Sequence, residues 1–117
     1  MTAERDYAEV FHGLVPVNRL TPSVQQHLWA VGARKTLAAG QLIYARATDD
    51  GLLHFVLDGQ IDLVDQGRFV QRLNPTLRIA RRPLDGPGPK RYTARAYNLK
   101  PTPRAVISYA FRNHDCS

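Results

Sequence analysis

A chain of 117 residues fits one domain and can bury a modest core without disulfides or metals. Its single cysteine, Cys116, excludes an internal bridge, no apolar run approaches membrane-spanning length, and the charged start Met1-Thr2-Ala3-Glu4-Arg5-Asp6 lacks the apolar stretch of a secretion signal, so the expected setting is the cytoplasm of a bacterium. The net charge of +6 is uneven: residues 1–67 carry five Lys and Arg against eight acidic groups, whereas residues 68–117 carry eleven against two, which suits either an anionic partner or a solvated basic face.

Ala3 to Phe11 puts Ala3, Tyr7, Val10 and Phe11 on one helical face, and His12-Gly13 ends that helix. Leu14 to Val17 is an apolar connector containing Pro16. A second helix starts at Thr21, an N-cap residue, with Pro22 at the first helical position, where its missing N–H costs nothing. Val24, Leu28 and Val31 follow on one face, and Gly32 stops the helix. The period then changes. Residues 34–37, 41–44, 52–57, 60–64 and 68–73 read as short strands. Thr48-Asp49-Asp50-Gly51 is a turn, Asp58-Gly59 is expected to make a tight hairpin with positive φ at both residues, and Asp65-Gln66-Gly67 a second one.

The stretch from Asn74 to Lys90 differs, because Pro75, Pro83, Pro87 and Pro89 cannot donate to a ladder. Asp85 to Pro89 must be a loop, and Arg78 to Arg82 is a helical turn or an edge strand. Arg91 to Tyr97 resumes a strand, Lys100-Pro101-Thr102-Pro103 is an extended linker, and Ala105 to Phe111 is a final strand or a short helix. The chain thus divides into N-terminal helices (1–32), a β-roll (33–97) and a C-terminal strand or tail (98–117). The expected class is mainly β with N-terminal helices, as a small antiparallel β-roll or jelly-roll barrel.

Three sets of residues carry a resemblance: Leu20-Thr21-Pro22 opening a helix, Gly40-Gln41-Leu42-Ile43-Tyr44, and His54-Phe55-Val56-Leu57-Asp58-Gly59-Gln60-Ile61-Asp62-Leu63. In this order they resemble the cyclic-nucleotide-binding domains of catabolite activator proteins and kinase regulatory subunits, over roughly residues 14–73. The resemblance implies a regulatory domain with a phosphate-binding cassette, here at 74–96. A family cassette has a Gly-started helix that caps the cyclic phosphate, a glutamate for the ribose and an arginine for the phosphate. This chain lacks the Phe-Gly-Glu, and no glutamate lies between Leu73 and Lys90. Aligning Ala96 with the alanine that ends the family's next strand puts Lys90 at the phosphate arginine, with Arg91 beside it. Lysine and arginine are not equivalent at a bidentate site. The phosphate site implied is Lys90 or Arg91 with backbone N–H groups near Thr76, Leu77 and Arg78.

No catalytic or metal constellation stands out. His12, His27, His54 and His114 lack metal-ligand spacing, and Ser23 and Ser108 lack a nearby base. His54 reads as structural, Asp49-Asp50 as a turn pair and Trp29 as core packing. No enzyme, metal or cofactor is expected, and a cyclic nucleotide is the ligand that the resemblance implies. Three functions stay open. The first is a regulatory domain that binds a small anion or has lost that ability. The second is a nucleic-acid-binding protein using Arg78, Arg81, Arg82, Lys90, Arg91, Arg95, Lys100 and Arg104 on phosphates, with Tyr92 and Tyr97 for stacking. The third is a ligand-free module for a protein partner or a second copy of the chain. No membrane is expected, and no helix-turn-helix follows Ala96. The chain reads as a stand-alone sensor, a component acting on a partner, or a remnant of a longer regulator.

Overall fold

Thr21 starts α2 (Pro22–Val31) as its sequence predicts: its hydroxyl accepts from the Val24 N–H at 3.3 Å and Pro22 follows at the first helical position. The computed structural model describes residues 3–74, 81–86, 88–97 and 105–112. Before α2 come α1 (Ala3–His12) and a 3₁₀ turn at Val17–Arg19. After it come seven strands: β1 (Ala33–Leu37), β2 (Leu42–Tyr44), β3 (Leu52–Asp58), β4 (Ile61–Asp65), β5 (Arg68–Leu73), β6 (Thr93–Ala96) and β7 (Val106–Arg112). The final segment is therefore a strand, not a helix.

The strands form two open antiparallel sheets. One has the order β1-β7-β3 and the other β2-β6-β4-β5. β3 and β7 are buried on both faces. Leu53, Phe55, Leu57, Tyr109 and Phe111 pack against Phe11, Leu14, Val17 and Leu28 of the helical segment. Val56 and Val106 point the other way, into a second core with Leu37, Tyr44, Ile61, Leu63, Leu73, Leu84, Ala94 and Ala96. The three-stranded sheet is thus a plate between the helices and the roll interior, which is why its two long strands read as nearly continuous apolar runs.

One turn expectation is corrected and one holds. Asp58-Gly59 makes no hairpin, because β3 and β4 lie in different sheets. Only Gly59 has positive φ (85°), and it turns the chain from one sheet to the other. A Cβ there would press on the Ala105 carbonyl and the Val106 side chain, both at 3.0 Å. The turn with positive φ at both central residues is Gln66-Gly67 (52° and 83°), between β4 and β5.

Gly32 ends α2 as expected. Gly32 is extended (φ −70°, ψ 160°), so it stops the helix without the left-handed conformation. A glycine is needed because a Cβ would fall on the Tyr109 hydroxyl, which donates to the Leu28 carbonyl. Val31 is exposed, and Trp29 packs on Phe11 and Tyr109 with ring centroids 4.9 and 5.5 Å away.

Tyr109→Phe removes a buried hydrogen bond but leaves the Leu28 carbonyl accepting from the Gly32 N–H, so it is expected to lower unfolding free energy by about 1 kcal/mol. Gly32→Ala is expected to cost more, because the tyrosine ring must move. Urea midpoints of the two variants against the parent chain check this order, and a Gly32→Ala variant as stable as the parent would contradict it.

Candidate functional site

The turn before β3 places a carboxylate where two basic groups meet it. Asp50 Oδ1 accepts from the Leu52 N–H at 3.0 Å, which fixes the side chain over the start of the strand. Its Oδ2 lies 2.9 Å from His54 Nε2, and its Oδ1 lies 3.2 Å from Lys90 Nζ. Burial alone would raise the Asp50 pKa, but the hydrogen bonds from His54, Leu52 and Lys90 outweigh it and hold the carboxyl at about 2. Burial pushes the His54 pKa down against the pull of Asp50. The imidazole is therefore neutral near pH 7, with its proton on Nε2 facing the carboxylate.

Lys90 completes the cluster from the segment before β6. Its side chain has no solvent exposure. Besides Asp50, its ammonium meets the carbonyl oxygens of Leu52 at 3.1 Å, Gly86 at 2.9 Å and Gly88 at 3.3 Å. Its backbone is equally bound: the Lys90 N–H donates to the Thr48 carbonyl, and the Lys90 carbonyl accepts from the Ala47 N–H. The alternation Gly86-Pro87-Gly88-Pro89 removes donors and offers carbonyls, so this loop cradles a cation.

Asp85 holds the other end of the loop. Its buried carboxylate accepts from the N–H groups of Gly86 at 2.9 Å and Arg91 at 2.6 Å, and Arg91 Nε lies 3.3 Å away. The rest of the Arg91 guanidinium reaches solvent, with the side chain 74% exposed. Leu84 N–H donates to the His54 carbonyl at 2.8 Å and anchors the loop on β3. The Tyr44 ring lies 5.0 Å from the His54 ring, and its buried hydroxyl has no hydrogen-bond partner among the described residues. Burial, then the nearby charges of Asp85 and Asp50, push its pKa up.

The residues singled out from the sequence are dispersed. Lys90 points inward and Arg91 sits on Asp85. Arg81 and Arg82 line a surface cleft beside the helical segment. Arg95 projects from the outer face of the four-stranded sheet, between the inward Ala94 and Ala96. Thr76, Leu77, Arg78, Lys100 and Arg104 lie outside the described residues. Asp50 and Asp85 escaped the sequence reading as partners, because a turn aspartate looks the same whether or not it meets a cation. A cavity of about 70 Å³ lies by His54, walled also by Lys35, Ile43, Ser108 and Ala110. It is far below the roughly 300 Å³ at the lower end of small-molecule sites.

The cluster generates two expectations. Lys90→Met leaves the Asp50 carboxylate without its cation and is expected to cost about 3 kcal/mol, while adding Asp50→Asn to that variant restores part of the loss. Additive losses in the double-mutant cycle would contradict the coupling. Stability is also expected to fall with acid. The lowered His54 pKa means that the unfolded chain takes up a proton first, so the decline begins below about pH 6.5, and the Asp50 contribution is lost as pH falls from about 4 towards 2. Urea titrations along this range, with His54→Gln flattening the upper part, measure it.

No protein-family model matches the chain, and no curated protein matches it significantly. Solved structures do. The regulatory subunit of a cAMP-independent protein kinase A from Trypanosoma cruzi, bound to guanosine, superposes with a TM-score of 0.72 at 12% identity, over 95% of this chain and 38% of that one. The regulatory domain of Toxoplasma gondii protein kinase A with cAMP gives 0.71 at 13% identity, over 96% and 42%. A cyclic nucleotide-binding-like protein from Brucella abortus gives 0.69 at 15% identity, over 94% of this chain and 93% of that one. The chain spans about two fifths of the kinase regulatory proteins it matches. With its helical segment on one sheet and its roll between two, the chain has the fold of the cyclic-nucleotide-binding domains.

Proposed function

We propose that this chain is a non-catalytic regulatory β-roll module in which the cation at the phosphate position serves the fold, so that cyclic AMP and cyclic GMP are not its ligands. The observation that carries this reading is the Lys90 ammonium, enclosed by three carbonyls and the Asp50 carboxylate. To meet a cyclic phosphate it must abandon all four contacts and leave Asp50 half-buried beside a neutral histidine. That rearrangement costs several kcal/mol, comparable to the binding energy of a millimolar to micromolar ligand. The loop supports the same reading, because Gly86 and Gly88 turn carbonyls inward where a phosphate needs N–H donors. The Trypanosoma cruzi subunit, cAMP-independent and bound to guanosine, illustrates that this fold is not committed to cyclic AMP. The module then acts through contact with a protein partner.

Isothermal titration of the folded chain with cyclic AMP and cyclic GMP tests the reading. No saturable heat is expected up to about 1 mM ligand. A stoichiometric isotherm with Kd below about 100 µM for either nucleotide would overturn it.

A further inference from the structure

A second feature faces outward, away from the Lys90 cluster. Gly13, Val15, Asn18, Arg81 and Arg82 line an open cleft of about 300 Å³ where the cassette segment meets the link between α1 and the 3₁₀ turn. The backbone there is set: the Val15 N–H donates to the Arg81 carbonyl at 2.7 Å and the Asn18 N–H to the Leu14 carbonyl at 2.8 Å. Both arginines are exposed and no carboxylate lines the cleft. Among the described residues, neither guanidinium has an ion pair and the Asn18 amide has no hydrogen-bond partner. Three other arginines, Arg46, Arg72 and Arg91, each face an aspartate.

We propose that this cleft binds a small phosphate monoester, held by Arg81 and Arg82. Two guanidiniums present planar donor forks that match phosphate oxygens in pairs. Their summed charge of two balances a monoester, which carries about −1.5 to −2 near pH 7. A cyclic phosphodiester carries a single charge and complements the pair less well. The Asn18 amide adds a neutral donor or acceptor at the wall. The cleft volume admits a phosphate with a small body attached, at the lower end of ligand sites at roughly 300 Å³. Because one wall is the helical link and the other the cassette, an anion held there ties the two together through the same contact as the Val15–Arg81 hydrogen bond. Ligand binding would thereby stabilise helix docking on the roll.

Isothermal titration of the full chain with inorganic phosphate, AMP and adenosine tests the site at low and moderate salt. Phosphate and AMP are expected to bind, adenosine to give no heat, and the AMP affinity to fall with salt. The double variant R81Q/R82Q is expected to lose at least about tenfold in AMP affinity, whereas R68Q, which removes a charge from β5, stays within about twofold. Circular dichroism and the urea midpoint verify that each variant is folded. No heat with either phosphate probe at millimolar concentration, equal binding by the double variant, or an equal loss in R68Q would each overturn the proposal. None of these outcomes bears on the cyclic-nucleotide titrations, which concern Lys90.

Discussion

The enclosed ammonium of Lys90 is the constraint around which the candidate site is arranged. It joins three parts of the chain that are far apart in sequence: the Asp50 turn, the first residue of β3, and the Gly86–Gly88 loop. A cation without solvent must be neutralised and its donors satisfied, because an isolated buried charge is costly. Asp50 supplies the charge and the carbonyls complete the shell. The carboxylate is positioned by the Leu52 N–H and by His54, so the cation depends on the turn and the turn on β3. This is why the polar cluster can sit beside a dry core that includes Leu84 and Tyr44.

The same dependence runs through the plate formed by β3 and β7. One face of each strand needs the helices and the other needs the roll, so neither half buries its apolar residues alone. Gly59 makes the transition between sheets possible at a point where β7 approaches within van der Waals contact. Gly32 does the equivalent for the helices, allowing Tyr109 to reach the last turn of α2. Two glycines thus set the spacing of three layers, and their role is close approach as much as backbone freedom.

Much of this architecture was legible. Thr21-Pro22 marked the start of α2, and strand segments were readable at β1 to β6, with β7 open as a strand or a short helix. Strand pairing was not legible in the same way. Asp58-Gly59 has the composition of a hairpin, yet β3 finds its partner in β7, some fifty residues on, because both carry two apolar faces and only the middle of the protein can bury them. Local turn chemistry lost to tertiary burial at that point. The site was half legible. Position 90 was identified as a cation, but its direction depends on Asp50, forty residues earlier, and no local pattern links them. The Gly-Pro alternation was the usable clue, because it withdraws donors and leaves oxygens.

The division of basic residues between inside and outside follows from the chemistry of the two side chains. An ammonium is compact, and three carbonyls with one carboxylate can surround it completely. A guanidinium is wide and planar, with five donors in fixed directions, and the same cradle cannot satisfy it. Lysine at position 90 is therefore what allows the Gly86–Gly88 loop to fold inward over its own cation. The arginines of the same segment stay where their forks can meet an aspartate, as Arg91 does, or solvent, as Arg81 and Arg82 do. An ammonium at position 90 can thus be enclosed by backbone carbonyls where a guanidinium could not. The Lys90 side chain faces the backbone of its own loop, while Arg81 and Arg82 stay on the outer surface, against the helical segment.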